Sequence, residues 1–242
     1  MTISLSVLGQ NHLSGKNIVL EKFSSQHATF IKECYQQSAF MDCYHLAQDR
    51  EVSLEQLSQI IRNEEKIDPI SLRRIDWVIK KKSSEVDVML GIASLTDYQL
   101  VHNRAEILVG IPEKKQRTGS LGLETTLLLL EFAFNKARLN KLLSYVYAYN
   151  PQAQKNTIHL GFKQEGLLQE HFFNTRDRKF IDLYQNSMLK KDFTSNEKIK
   201  KWSLRLLGRD ITEQQASGFK ASLLSEEQLK NDLDKLIKVG LE

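Results

Sequence analysis

This sequence predicts a mixed α/β fold, with one central sheet flanked by helices and a helical extension at its end. Three observations carry the expectation. Segments of period-two and period-3.6 hydrophobicity follow one another in the order strand, two helices, three strands, helix, strand, helix, two strands. A short glycine-bearing loop, Gln116 to Gly122, joins a strand to a long apolar helix. From residue 194 to residue 242 the pattern turns basic and leucine-rich while staying helical.

Residues 1–14 read as a loosely held leader. Asn17 to Phe23 alternates as a first strand, with Ile18, Leu20 and the stem of Lys22 against Val19, Glu21 and Phe23. Ser24 or Ser25 is expected to cap a helix running through Ser38, with Phe30, Ile31, Cys34 and Tyr35 on one side. Ser53 followed three residues later by Gln56 forms a capping box for a second helix, whose stripe is Leu57, Ile60 and Ile61. Arg74 to Lys80, Val86 to Thr96 and Ala105 to Ile111 read as three antiparallel strands. A helix is expected from Leu123 to Arg138, then a strand from Leu142 to Tyr149 with Tyr145, Tyr147 and Tyr149 on one face. A short helix from Gln152 runs into Leu160, Gly161 and Phe162, and two strands close the sheet. Beyond Phe193, the segment Lys198 to Arg209 carries five basic residues and no acid, interleaved with Ile199, Trp202, Leu204, Leu206 and Leu207. Leu229, Leu233, Leu236 and Ile237 form the stripe of a last helix.

Composition narrows the function. The net charge of +4 suits anionic ligands, and no basic stripe with interleaved aromatics calls for nucleic acid. Cys34 and Cys43 are the only cysteines, without metal-ligand spacing, so free thiols and no metal site are expected. The first lysine is Lys16, and no apolar run approaches the ~18 residues of a membrane span, which gives a cytoplasmic expectation.

The loop from Gln116 to Gly122 carries an arginine, small residues and two glycines ahead of a helix N-terminus. The first N–H groups of that helix lack intrahelical partners and sit at the positive end of its dipole, which favours phosphate or pyrophosphate. Gly119 and Gly122 are expected to supply positive φ and close backbone approach. The loop is neither a nucleotide-triphosphate loop nor G-x-G-x-x-G, and a purely geometric tight turn competes with the anion reading.

Taken with Asn150 at the end of the tyrosine strand, then Leu160-Gly161-Phe162, Glu165-Gly166 and Asp182, the order of motifs resembles the GNAT superfamily of N-acyltransferases. The likeness is greatest to the group that modifies ribosomal-protein N-termini. It covers residues 15–193 and implies a mostly antiparallel central sheet, with residues 194–242 as a helical extension. Arg117, Ser120 and Gly122 fall at the Arg, first Gly and second Gly of the family's R-x-x-G-x-G loop. By that resemblance the donor is acetyl-CoA or a longer acyl-CoA. Its pyrophosphate would lie on Arg117, Thr118, Gly119, Ser120, Leu121, Gly122 and Leu123. Val109 and Ile111 would serve the pantetheine and thioester, and Asn150 would orient the pantetheine or the following helix. The strand from Glu106 and the strand from Leu142 would splay apart at a bulge.

The acceptor implied is an amine on a peptide, protein or small molecule. Glu106 is the leading candidate for general base through water, with Glu51, Asp97, His102 and His171 as rivals. Thr157 and Ala153 stand where the family often has its Tyr or Ser acid, so Thr157 and Tyr149 are the available hydroxyls. His159 reads as a helix-surface residue. Two further readings stay open: fatty-acyl transfer to a lysine or ornithine of a ribosomal peptide, and a sensor that binds acyl-CoA without turnover. The basic extension either packs on the domain or docks an acidic carrier protein, a peptide leader or a membrane surface. A monomer or homodimer is expected.

Overall fold

A computed structural model describes residues 12–45, 51–67, 69–82, 88–99, 101–117 and 120–213. Eight strands form one sheet: β1 (His12–Ser14), β2 (Ile18–Lys22), β3 (Ile75–Lys81), β4 (Met89–Gln99), β5 (Arg104–Gly110), β6 (Lys141–Tyr147), β7 (Lys163–Asn174) and β8 (Lys179–Leu189). Their spatial order is β1-β2-β3-β4-β5-β6-β8-β7, and every neighbouring pair is antiparallel except β5 with β6. The connection between β5 and β6 carries the helix α5 (Leu121–Glu131), as a parallel crossover requires. The helices α1 (Ala28–Gln36), α2 (Ser38–Tyr44) and α3 (Leu54–Glu64) bury Ile31, Phe40, Met41 and Leu57 in one cluster with Ile92 of β4. The larger core joins α5 to Leu20, Trp77, Leu95 and Leu142. The single turn α4 (Pro69–Leu72) precedes β3, and α6 (Pro151–Leu160) precedes β7.

Several elements depart from the sequence reading, each for a local reason. The supposed leader ends in a strand, because Leu13 pairs with Leu20 and enters the core. The first helix splits in two. A 3-10 turn at Ser25–His27, capped by Ser24, leads into α1, and Gln37 then leaves helical geometry before α2. Ile31, Cys34 and Tyr35 point inward while the next apolar pair is Phe40 and Met41, so the stripe changes phase and Gln37 absorbs the change. In α3 the capping box of Ser53 and Gln56 is present, but Ile60 is 45% exposed and the buried stripe is Leu57 and Ile61. The long apolar helix begins at Leu121 and passes at Phe132 into a wide π turn through Lys136, which lets Phe132, Ala133 and Phe134 all be buried.

Two carboxylates of α5 are buried and hold distant segments. Glu124 accepts from the backbone N and from Nδ2 of Asn17, both at 2.8 Å, and a side chain at Gly15 would strike it. Glu131 takes a two-pronged bond from Arg209, at 2.6 and 2.8 Å.

After β8 come a short helix α7 (Lys190–Thr194) and the helix α8 (Glu197–Leu207), capped by the Asn196 side chain. Ile199, Leu206, Leu207 and Ile211 lie in the main core beside Phe193. Lys200 pairs with Asp210 at 2.9 Å. Through Ile211 the extension therefore packs on the sheet domain, and the last expected helix, with Leu229 and Leu233, lies outside the described residues. Ile199→Ala should lower the unfolding free energy by ~2–5 kcal/mol, the usual cost of emptying a packed aliphatic site. Urea unfolding would read this as a lower midpoint at unchanged slope. A loss under ~1 kcal/mol would mean that α8 only rests on the surface.

Candidate active site

β5 and β6 are paired at only three positions, Arg104 with Lys141, Ala105 with Leu142 and Glu106 with Leu143. Beyond Glu106, β5 stays with β4, while beyond Leu143 β6 follows β8. Their facing edges separate into a V. The expected bulge is absent there: the β4–β5 register runs unbroken from Ile92 opposite Gly110 to Thr96 opposite Glu106. The register shift lies at the far end, between Thr96 and Gln99, where Asp97 has a φ of 45°. The splay arises because the two strands follow different outer neighbours.

The V opens into a cavity of about 550 Å³. Ile107, Leu108 and Val109 line one edge, and Ser144, Tyr145 and Val146 the other. The first turns of α5 close one end. There Ser120 is the N-cap residue but its side chain makes no capping bond, and the first intrahelical bond runs from Glu124 N to Ser120 O at 2.7 Å. The N–H groups of Leu121, Gly122 and Leu123 are thus without helical partners. Gly122 does not use positive φ as expected; it sits in an ordinary helical turn, and a Cβ there would meet nothing within 4 Å. The fold does not need glycine at this position, so its bare backbone serves whatever approaches from the cavity.

Arg117 lines the cavity and ties down the loop, donating from Nε to Ile111 O at 2.7 Å and from Nη2 to Pro112 O at 2.8 Å. Ile111 is buried in the core, away from the cavity wall. Leu121 packs inward, leaving only its N–H for the site, while Val109, Gly122, Leu123, Asn150 and Thr157 reach the wall. Thr118 and Gly119 lie outside the described residues. Asn150 caps α6, its Oδ1 accepting from Ala153 N at 3.2 Å.

Glu106 stands at the vertex of the V, next to Ile107. Burial pushes its carboxyl up to about 7, against the opposing effect of a 3.3 Å bond from Thr96 Oγ1. Its charge is felt by Tyr145, whose own phenol is raised mainly by burial and which lines the cavity. Tyr149 is differently placed. β6 ends at Tyr147, so Tyr149 leaves the strand, stacks on the Tyr147 ring at 5.4 Å and donates its hydroxyl to Asp42 O. It is not on the cavity wall. Among the rivals, Glu51 and His102 are exposed, Asp97 takes bonds from Gln99 at 2.9 and 3.0 Å, and His171 packs edge-on against Phe172. None of the four lines the cavity, and Glu106 is not on its wall either; it sits at the last β5–β6 pair, one residue before the wall residue Ile107.

The sequence reading missed Tyr44, Tyr145 and Trp202 as cavity residues. Tyr44 donates to Ser94 Oγ at 2.9 Å, Ser94 donates to Asp76 at 2.5 Å, and Arg74 binds both oxygens of Asp76 at 2.7 and 2.9 Å. Burial drives the Tyr44 phenol upward, keeping it protonated as a donor. This chain of bonds joins α2, β4 and β3 beneath the cavity. A tyrosine near the end of one helix gives no local sign of it.

Over residues 17–163 the sequence matches the family model of the acetyltransferase (GNAT) domain. No curated protein matches it. Among solved structures, the spermidine N-acetyltransferase from Vibrio cholerae in complex with CoA and spermine aligns at a TM-score of 0.63 and 18% identity, over 73% of this chain and 97% of that one. A protein described as a probable acetyltransferase of the GNAT family, from Chromobacterium violaceum, aligns at 0.62 and 17% identity, over 76% and 89% of the two chains. At these identities the likeness is one of fold.

Proposed function

The chain belongs to the GNAT acetyltransferase family, whose members are acyl-CoA-dependent N-acyltransferases, and we propose that it moves an acyl group from coenzyme A to a primary amine in the β5–β6 cleft. The observation that supports this reading most is the parting of β5 and β6 after Glu106, with unpaired amides at one end and a protonatable carboxyl at the vertex. The residues present fit coenzyme A: three free N–H groups, an open Gly122 and Arg117 form an anion's donor set.

When bound, acyl-CoA supplies an activated carbonyl and a thiolate leaving group. The chain's part is binding, orientation and proton handling. Arg117, Ser120 and the amides of Leu121 to Leu123 hold the pyrophosphate, with Thr118 and Gly119 completing the loop. The Val109 edge of β5 orients the pantetheine, and Asn150 fixes the start of α6. Glu106, about half ionised near neutral pH, takes a proton from the incoming ammonium through water. Thr157, on the cavity wall, relays a proton to the leaving thiolate while taking one from solvent water; the Tyr149 hydroxyl is already committed to Asp42. Most of the rate gain comes from holding both reactants in place and from fixed dipoles at the carbonyl. The catalytic unit is taken to span residues 15–193, with 194–242 as its extension.

The acceptor is an amine on a peptide, protein or small molecule. A cytoplasmic setting belongs to the same reading; among the described residues no helix is long and apolar enough to cross a membrane.

Calorimetry with coenzyme A, followed by thiol release from acetyl-, octanoyl- and palmitoyl-CoA against peptide amines, lysine, ornithine and spermidine, tests it. Coenzyme A should bind, and thiol should appear with at least one amine of the panel. Binding without thiol release across the whole panel would leave a sensor of acyl-CoA. Preference for palmitoyl-CoA with lysine or ornithine would favour fatty-acyl transfer to a peptide. No binding would overturn the assignment.

A further inference from the structure

The helix α8 lies outside the matched segment 17–163, yet it contributes Trp202 to the cavity wall. Its inward stripe is Ile199, Ser203, Leu206 and Leu207, and Trp202 sits at the border of that stripe, half-buried against the core. The indole ring lies 5.5 Å from the His159 ring, tilted by 44°, and His159 also lines the cavity. One turn of α6 before His159 stands Lys155, and one turn of α8 before Trp202 stands Lys198. Both lysines are exposed, and among the described residues neither has an ion-pair partner. On α5, Thr126 shares the wall with Trp202 one turn beyond Gly122, a rise of ~5.4 Å and on the order of a ribose's span.

We propose that Trp202 and His159 form a stacking platform for the adenine of the donor, with Lys155 and Lys198 flanking its ribose phosphate, so that the appended helix is part of the acyl-CoA site. The inference rests on the donor assignment made above. Its reasons are two aromatic rings in contact on the wall of the same cavity as Gly122 and Thr126, each one turn from an exposed lysine that has no ion-pair partner among the described residues. A purine offers a π-face to such a platform whatever its hydrogen-bonding edge meets. An ordinary core contact would not need His159 exposed beside the ring.

The chain has two tryptophans, and Trp77 is wholly buried in the core, so emission sensitive to a ligand reports on Trp202. Adenosine 3′,5′-bisphosphate and coenzyme A should both quench that emission, whereas phosphopantetheine should not. Trp202→Ala should weaken coenzyme A binding by ~10–100-fold, the stacking of one base expressed through the tenfold-per-1.4 kcal/mol rule. Its affinity for phosphopantetheine should be unchanged. Trp202→Phe should lose the quenching and keep most of the affinity. His159→Ala removes an exposed ring and serves as the second variant if Trp202→Ala melts early; it should weaken the bisphosphate as well. Wild-type affinity for coenzyme A in folded Trp202→Ala and His159→Ala would overturn the platform while leaving the donor assignment standing. So would quenching by phosphopantetheine alone, which would place the acyl-pantetheine arm at Trp202. Failure of the unaltered protein to bind coenzyme A would overturn both.

Discussion

Glu106→Gln should lower turnover by ~10²–10⁴-fold at neutral pH, the usual loss when a general base is removed, and should make the protein more stable in alkali. Both effects have one cause. Burial at the vertex of the V raises the carboxyl from 4.5 to about 7, so the folded protein holds this proton more tightly than the unfolded chain does. The stability that comes with the bound proton is complete below pH 4.5 and is lost as pH rises through about 7. Glutamine has no proton to lose and removes that slope. Turnover runs the other way: the wild-type rate should climb with pH up to about 7 and then level, as the base ionises. Pairing kcat/KM profiles with thermal melts at pH 5, 7 and 8.5 reads both limbs. A variant within a few-fold of the wild type, or a profile flat through neutrality, would move the base to His171, Glu51 or solvent.

Gly122→Asp should weaken coenzyme A binding by more than ~100-fold, because charge-assisted bonds of about 1.5–3 kcal/mol each are lost or opposed at the helix start. The prediction is sharp because the fold should not suffer. An added Cβ meets nothing within 4 Å, and a carboxylate in the first turn of α5 suits the helix dipole. Calorimetry and melting should therefore dissociate, with affinity gone and the melting temperature kept or raised. Wild-type affinity in the folded variant would remove the pyrophosphate from this loop.

What could be read in the sequence was what short stretches of chain decide. The Ser53 box, the Gly161 turn and the strand–loop–helix around Gly122 are each set by residues a few positions apart, so they are written locally. Glu106 could be placed near the β5–β6 junction because it precedes that loop on one strand. Tyr149 was misplaced toward the cavity because alternation continues past Tyr147 in the sequence, while the backbone turns where Asn150 N bonds Tyr147 O at 2.8 Å. The absence of a bulge could not be foreseen, since the splay depends on which outer strand each partner follows. Tyr44 and Trp202 reach the cavity only through the docking of α2 on β4 and of α8 on α5. No periodicity within either helix encodes that.

Glu124 and Glu131 stand two turns apart on α5, and they grip segments from opposite ends of the described chain. The same ends also touch directly, Lys16 Nζ donating to Arg205 O at 3.2 Å across 189 residues. Closing so long a loop costs entropy that no local contact returns, and α5 supplies the buried anchors for both ends. The two ends then lose their anchorage together, because the helix that frees one frees the other. Segments far apart in sequence thus become one cooperative unit, which opens as a whole in place of fraying from two separate tips.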